Sequence, residues 1–147
     1  MQKIIAGVGN PNINQNTASI ALSTFRETME VNFFGVVATT TALIPLMRKS
    51  INGGVIVNVS SELGSNTRQA DPNRKSHFTV YSASKAALNS YTISLAQDLK
   101  GEGFKVNAVT PGLTSTKLSG HLGKTAKDGA EVLLPWALLE KDGPTCM

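Results

Sequence analysis

The sequence predicts an α/β domain on a parallel sheet, and three observations carry that prediction. Strand-like segments at residues 3–8, Val55–Val59 and Lys105–Val109 are separated by stretches of helix length, at 25–48 and 81–100. The middle strand, Val55-Ile56-Val57-Asn58-Val59, is almost uniformly apolar, as a central parallel strand covered on both faces must be. Turn signals bound the strands: Asn52-Gly53-Gly54 before the second, Gly101 to Gly103 before the third and Thr110-Pro111-Gly112 after it.

Composition sets the limits. With 147 residues, 41% of them hydrophobic, the chain has the length of one domain with a modest core. Fourteen basic residues against ten acidic ones give a net charge of +4, but they are scattered, so no nucleic-acid surface is expected. The single cysteine, Cys146, allows neither an intrachain disulfide nor a thiolate cage, which suits a reducing, cytoplasmic setting. Residues 1–6 lack the apolar run of a secretory signal.

In chain order, residues 3–8 end in the turn Gly7-Val8-Gly9-Asn10-Pro11, where Gly7 would let the backbone approach a ligand. Ser23 or Thr24 is expected to cap the first long helix, with Glu27 and Glu30 in its early turns. Residues 31–47 carry no charge, but Asn32, Thr39, Thr40, Thr41 and Pro45 interrupt them and the run is short of ~20 residues. The expectation is therefore a helix buried on more than one side, with no membrane span. Ser60 and Ser61 fall just beyond the C-terminal end of the middle strand, where open α/β sheets bind ligands. By themselves they read equally as a helix cap. Residues 64–80 have no helical or strand period and read as a loop; its His77 has no partner at metal-ligand spacing, and no metal site is expected.

The second long helix places Ala83, Ala87, Tyr91, Leu95 and Leu99 at i, i+4 spacing, with Lys85 and Asp98 as its only interior charges. Both long helices are too apolar for the surface of a monomer, so a homo-oligomer through residues 25–48 and 81–100 is expected. After Lys117 a loop runs to about Thr125, followed by a helix at 130–136 that Pro135 should interrupt.

The chemistry centres on Tyr81-Ser82-Ala83-Ser84-Lys85. Tyr81 and Lys85 are four residues apart and project from one helix face. An ammonium beside a phenol favours the phenolate and lowers its pKa from about 10, giving a tuned acid/base pair.

This segment, continued by Ala86-Ala87, resembles the active-site helix of the short-chain dehydrogenase/reductase family, nearest its carbonyl-reductase-like branch. Three further segments lie in the family's order: Val31-Asn32-Phe33-Phe34-Gly35, Val55 to Ser61 with its Asn-Val-Ser-Ser end, and Val106-Asn107-Ala108-Val109-Thr110-Pro111-Gly112. The resemblance covers nearly the whole chain but only the second half of a usual member. It implies a partial Rossmann-type, doubly wound parallel sheet lacking the N-terminal Gly-rich βαβ unit and the last strand, which residues 142–147 would only approach.

What the resemblance implies for function is reversible hydride transfer between NAD(P)H and a small carbonyl compound or secondary alcohol. Ser61, with Ser60 as the fallback, would hold the substrate oxygen. Tyr81 would protonate it, Lys85 would lower the tyrosine pKa and bind the nicotinamide ribose, and Asn32 would hold a water leading to Lys85. Pro111, Gly112, Thr114, Thr116 and Gly7 would line the nicotinamide end of the cofactor, and Tyr81 and Lys85 would touch it. Here Ile4-Ile5-Ala6-Gly7 stands where the family has Asn-Asn-Ala-Gly. NADP is the expected cofactor, with NAD possible, because no residue choosing a 2′-phosphate or 2′-hydroxyl is present, nor is any T-G-x-x-x-G-x-G loop. The 64–80 and 113–128 loops would frame the substrate. The competing expectation is a catalytically silent remnant serving as a dimerisation or binding module.

Overall fold

A computed structural model describes residues 2–4, 7–10, 14–51, 53–73 and 78–147. Strands β1 (Gln2–Ile4), β2 (Val55–Val59) and β3 (Lys105–Val109) form a parallel sheet in the order β1-β2-β3. Gln2 pairs with Ile56, and Ile56 with Val106. β2 and β3 match the expected bounds. β1 is shorter than expected: Gly7 to Asn10 are irregular, residues 5 and 6 lie outside the described part, and so does Pro11.

Between β1 and β2 runs one long helix in three pieces, α1 (Leu22–Met29), a wider π-helical turn (Glu30–Phe34) and α2 (Gly35–Met47). It starts earlier than expected, after an extended Ala21, so Ser23 and Thr24 lie inside the first turn and cap nothing. Its buried positions are Thr28, Asn32, Val36 and Thr40, a single stripe at i, i+4. The expected burial on several sides is thus not met within one chain, because Val31, Phe34 and Leu46 face outward. By length and composition Leu22–Met47 could cross a bilayer. The hydrogen-bonded Asn32 near its centre instead ties it to Ser84, 52 residues on.

After β2 a short 3-10 turn (Glu62–Gly64) leads into α3 (Asn66–Gln69), one turn of helix capped by the Ser65 hydroxyl. That turn stands where sequence period suggested only loop. A local cap can order four residues too few to show a repeat. His77 and its neighbours 74–76 lie outside the described residues.

Helix α4 (Thr79–Asp98) crosses one face of the sheet, and α5 (Ala126–Ala137) covers the other. Side chains alternate along each strand, so β2 sends Ile56 to meet Leu95, Ala96 and Leu99, and Val57 to meet Ala137. Val106 and Val109 of β3 divide in the same way. The two faces are the two layers of a doubly wound fold. α5 begins before the expected 130, because Thr125 and Asp128 close a reciprocal cap, and it continues through Pro135 without interruption. The last residues do more than approach a strand: Cys146 N donates to Val106 O and Ala108 N to Met147 O, both at 2.9 Å, so the tail lies along the free edge of β3.

Candidate active site

All three strands point the same way, so the segments after their C-terminal ends gather at one rim of the sheet: Gly7 after β1, Ser60-Ser61 after β2 and Thr110-Pro111-Gly112 after β3. The first turns of α4 bring Tyr81 and Lys85 to the same rim. Lys85 is fixed there by a 2.9 Å hydrogen bond from its Nζ to the carbonyl of Val59, the last residue of β2.

Lys85 is 3% exposed, and its Nζ stands over the Tyr81 ring, 5.6 Å from the centroid. Burial pulls its pKa from 10.5 to about 8. Burial of the ring pushes the Tyr81 pKa above the ordinary 10 and outweighs the nearby Ser61 side chain, which works to lower it. The expected direction is therefore reversed in the chain alone. The phenol stays protonated, which is the form a proton donor needs.

The two serines separate. Ser60 is buried and donates to Asn89 Oδ1 at 2.5 Å, a structural bond that pins β2 to α4. Ser61 is half-buried, caps the 3-10 turn by accepting from Leu63 N at 3.2 Å, and meets Tyr81. Gly64 makes this possible. A Cβ there would stand 2.9 Å from the Lys85 carbonyl carbon and from Asn89 Nδ2, so only glycine lets the turn lie flat on α4.

Asn32 is fully buried in the π-helical turn. Its Oδ1 accepts from Val8 N at 2.7 Å, and its Nδ2 donates to Val8 O at 2.9 Å and Ser84 Oγ at 3.0 Å. The amide thus clamps the loop after β1 onto α4, which leaves both amide hydrogens engaged by protein. A Cβ on Gly7 would stand 3.7 Å from Lys85 Nζ and 3.9 Å from Asn32 Oδ1. The loop backbone therefore runs directly over the lysine.

Past β3, Gly112 takes φ +76°, and its N–H is held by Thr110 Oγ1 at 3.2 Å. Thr114 is turned inward: its hydroxyl donates to Gly112 O at 3.1 Å, and Gly129 of α5 packs against it. The Thr116 carbonyl accepts from His121 N at 2.8 Å. Pro111, Thr114 and Thr116 thus shape the rim, while Tyr81, Lys85, Ser61, Asn32 and Gly7 form one connected cluster. Sequence reasoning passed over Gly9 and Leu118. A Cβ on Gly9 would stand 3.1 Å from Tyr81 Cδ2 and 3.2 Å from Leu118 Cδ1, and no local motif signals such a meeting of two loops.

Known proteins share this fold. The short chain dehydrogenase family profile matches residues 2–127. Estradiol 17-beta-dehydrogenase 2 of Mus musculus is 40% identical over 114 residues, which is 78% of this chain and 28% of the mouse protein. Salutaridine reductase from Papaver somniferum superimposes with a TM-score of 0.75 at 30% identity, covering 87% of this chain and 55% of that one. An NADPH-bound carbonyl reductase from chicken fatty liver superimposes with a TM-score of 0.76 at 22% identity, over 92% of this chain and 57% of that one, which establishes a shared fold. The chain thus spans about a quarter of the mouse protein and little more than half of the two solved chains. Matched by the family profile over most of its length, the chain belongs to the short-chain dehydrogenase/reductase family.

Proposed function

We propose that the chain carries the acid–base half of a nicotinamide-dependent oxidoreductase that interconverts a carbonyl compound and a secondary alcohol. The observation that carries this reading is the meeting of Ser61 with Tyr81, and of Tyr81 with a buried Lys85, at the carboxyl rim of a parallel sheet. Ser61 holds the substrate oxygen. Tyr81, kept neutral by burial, gives its hydroxyl proton to that oxygen as negative charge develops there. Lys85, held by Val59, places a positive charge under the ring and favours the phenoxide that remains. A bound NADP or NAD would supply the hydride. Gly7 and Gly112 bring backbone close to the flat end of such a ligand, and Lys85 is the cation beside it, so these residues fit the nicotinamide end. The NADPH in the chicken enzyme belongs to that protein and supports a nicotinamide cofactor of either kind here. The amide of Asn32 is spent on Val8 and Ser84, so a water leading to Lys85 would rest on its main-chain carbonyl. The unpaired Cys146 supports a cytoplasmic setting.

The test is NADPH oxidation by the purified chain with millimolar NADPH and a cyclic ketone. Slow turnover is expected, abolished by Tyr81→Phe with little change in cofactor affinity, since the phenol acts in the transition state. Lys85→Ala should weaken both. Turnover unchanged in Tyr81→Phe, or none that depends on Tyr81, overturns the reading in favour of a binding module.

A further inference from the structure

Asn89 has no part in the acid–base chemistry, yet it holds both ends of the turn that carries Ser61. One face of α4 grips three successive residues at the end of β2, because Lys85, Asn89 and Thr92 lie at i, i+4 and i+7. Lys85 Nζ donates to Val59 O at 2.9 Å, Asn89 Oδ1 accepts from Ser60 Oγ at 2.5 Å, and Thr92 Oγ1 accepts from Asn58 Nδ2 at 2.8 Å. Asn89 also reaches past Ser61. Its Nδ2 donates to Gly64 O in a long bond of 3.4 Å and would stand 2.9 Å from a Cβ on Gly64, so helix and turn are in contact there. Within the turn, Ser61 Oγ accepts from Leu63 N at 3.2 Å and Ser61 O accepts from Gly64 N at 2.9 Å. One planar amide therefore spans Ser60 to Gly64, with Ser61 folded between its two contacts.

We propose that Asn89 is a positioning residue that fixes where the Ser61 hydroxyl stands relative to Tyr81. This rests on the reading of Ser61 as the group that holds the substrate oxygen, and adds what holds Ser61. The 3-10 turn Glu62–Gly64 is too short to keep its own geometry. Helix α4, packed on the sheet through Leu95 and Leu99, is the rigid body, and Asn89 passes its position on to the turn. An amide suits the task because it accepts at its oxygen and donates at its nitrogen in one plane, while Ser60 offers a hydroxyl donor and Gly64 a carbonyl. Without it the Gly64 end is free to lift, and the Ser61 hydroxyl moves with it.

The experiment compares wild type, Asn89→Ala, Ser61→Ala and the double variant of the 147-residue chain. Amide hydrogen exchange reads the turn without any need for catalysis. The Leu63 and Gly64 amides, both held by Ser61, should exchange about tenfold faster in Asn89→Ala, while the Leu95 amide in α4 keeps its wild-type rate. Turnover with NADPH and a cyclic ketone reads the consequence. Asn89→Ala should lower kcat about tenfold with cofactor affinity unchanged, and should lower it no further once Ser61 is replaced by alanine. If Asn89→Ala does not fold, the isosteric Asn89→Asp decides by the same readings, since it keeps an acceptor for Ser60 but turns another acceptor toward the Gly64 carbonyl. Leu63 and Gly64 amides that exchange at the wild-type rate overturn the proposal, and so does a loss in the double variant that adds to that of Ser61→Ala. A wild type without Tyr81-dependent turnover, whose Asn89 variant still exchanges faster, overturns the acid–base reading and supports the tie of Asn89 to Ser61.

Discussion

At the scale of single residues, burial at the candidate site costs stability, and Lys85 shows it most plainly. Its ammonium titrates near 8 in the folded chain against an ordinary 10.5, so folding disfavours the charged form. The unfolded chain therefore holds the extra proton between those values. The penalty is complete below pH 8, and it is relieved as pH rises from about 8 to 10.5, over which this group makes the fold more stable. The shift corresponds to ~3 kcal/mol. Lys85→Met should accordingly stabilise the chain at pH 7 by about 1–3 kcal/mol, after the lost bond to Val59 is counted, and should flatten the rise in stability between pH 8 and 10.5. Urea melts at pH 7 and 9.5 check both; a variant less stable than wild type at pH 7 contradicts the argument. The same titration bears on turnover. Tyr81 stays protonated beyond pH 10, so reduction should decline above about pH 8 through loss of the Lys85 charge.

At the scale of elements, close packing between the turn after β2 and helix α4 sets where Ser61 stands. Gly64→Ala would drive a methyl into the Lys85 backbone and the Asn89 amide, which cannot both retreat. A loss of about 1–3 kcal/mol is expected, with a further fall in Tyr81-dependent turnover as the Ser61 turn lifts away. Thermal melts and turnover measured together test this, and a variant equal to wild type in both would show that the turn is free to move. Asn32 works similarly between the β1 loop and α4. Its amide makes three bonds across 24 and 52 residues of sequence, so Asn32→Leu should cost about 1–3 kcal/mol by removing the partner of both Val8 backbone groups and one of the two bonds of Ser84. Chain folding unchanged by that substitution would remove the clamp from this account.

At the scale of the whole molecule, the core is divided between two faces of a three-stranded sheet, and large apolar side chains on two of its helices remain uncovered. Phe34 and Ile93 are more than half exposed on the long helix and on α4, with Val31 and Leu46 near 37% and 61%. These are the helices for which sequence composition implied a mate, and we propose a homodimer through them. Light scattering should give a dimer, and Phe34→Glu combined with Ile93→Glu should give a monomer. A monomeric wild-type chain rejects the proposal.

The patterns that depend on neighbours in sequence were legible without coordinates. The strand bounds 55–59 and 105–109, the helical Tyr81–Lys85 pair and the parallel α/β class all follow from local period, turn residues and apolar runs, which short-range sterics and hydration enforce. Four ordered motifs were enough to identify the family. Other features belong to distance. Which serine meets Tyr81 depends on Asn89 capturing Ser60, and the pKa of Tyr81 depends on how deeply two layers bury it. The amide of Asn32 is committed to a loop 24 residues away. The contact of Gly9 with Leu118 joins residues more than a hundred positions apart. Burial and close contact are properties of surfaces brought together by folding, and neither leaves a period in the chain, so only the tertiary structure could decide them.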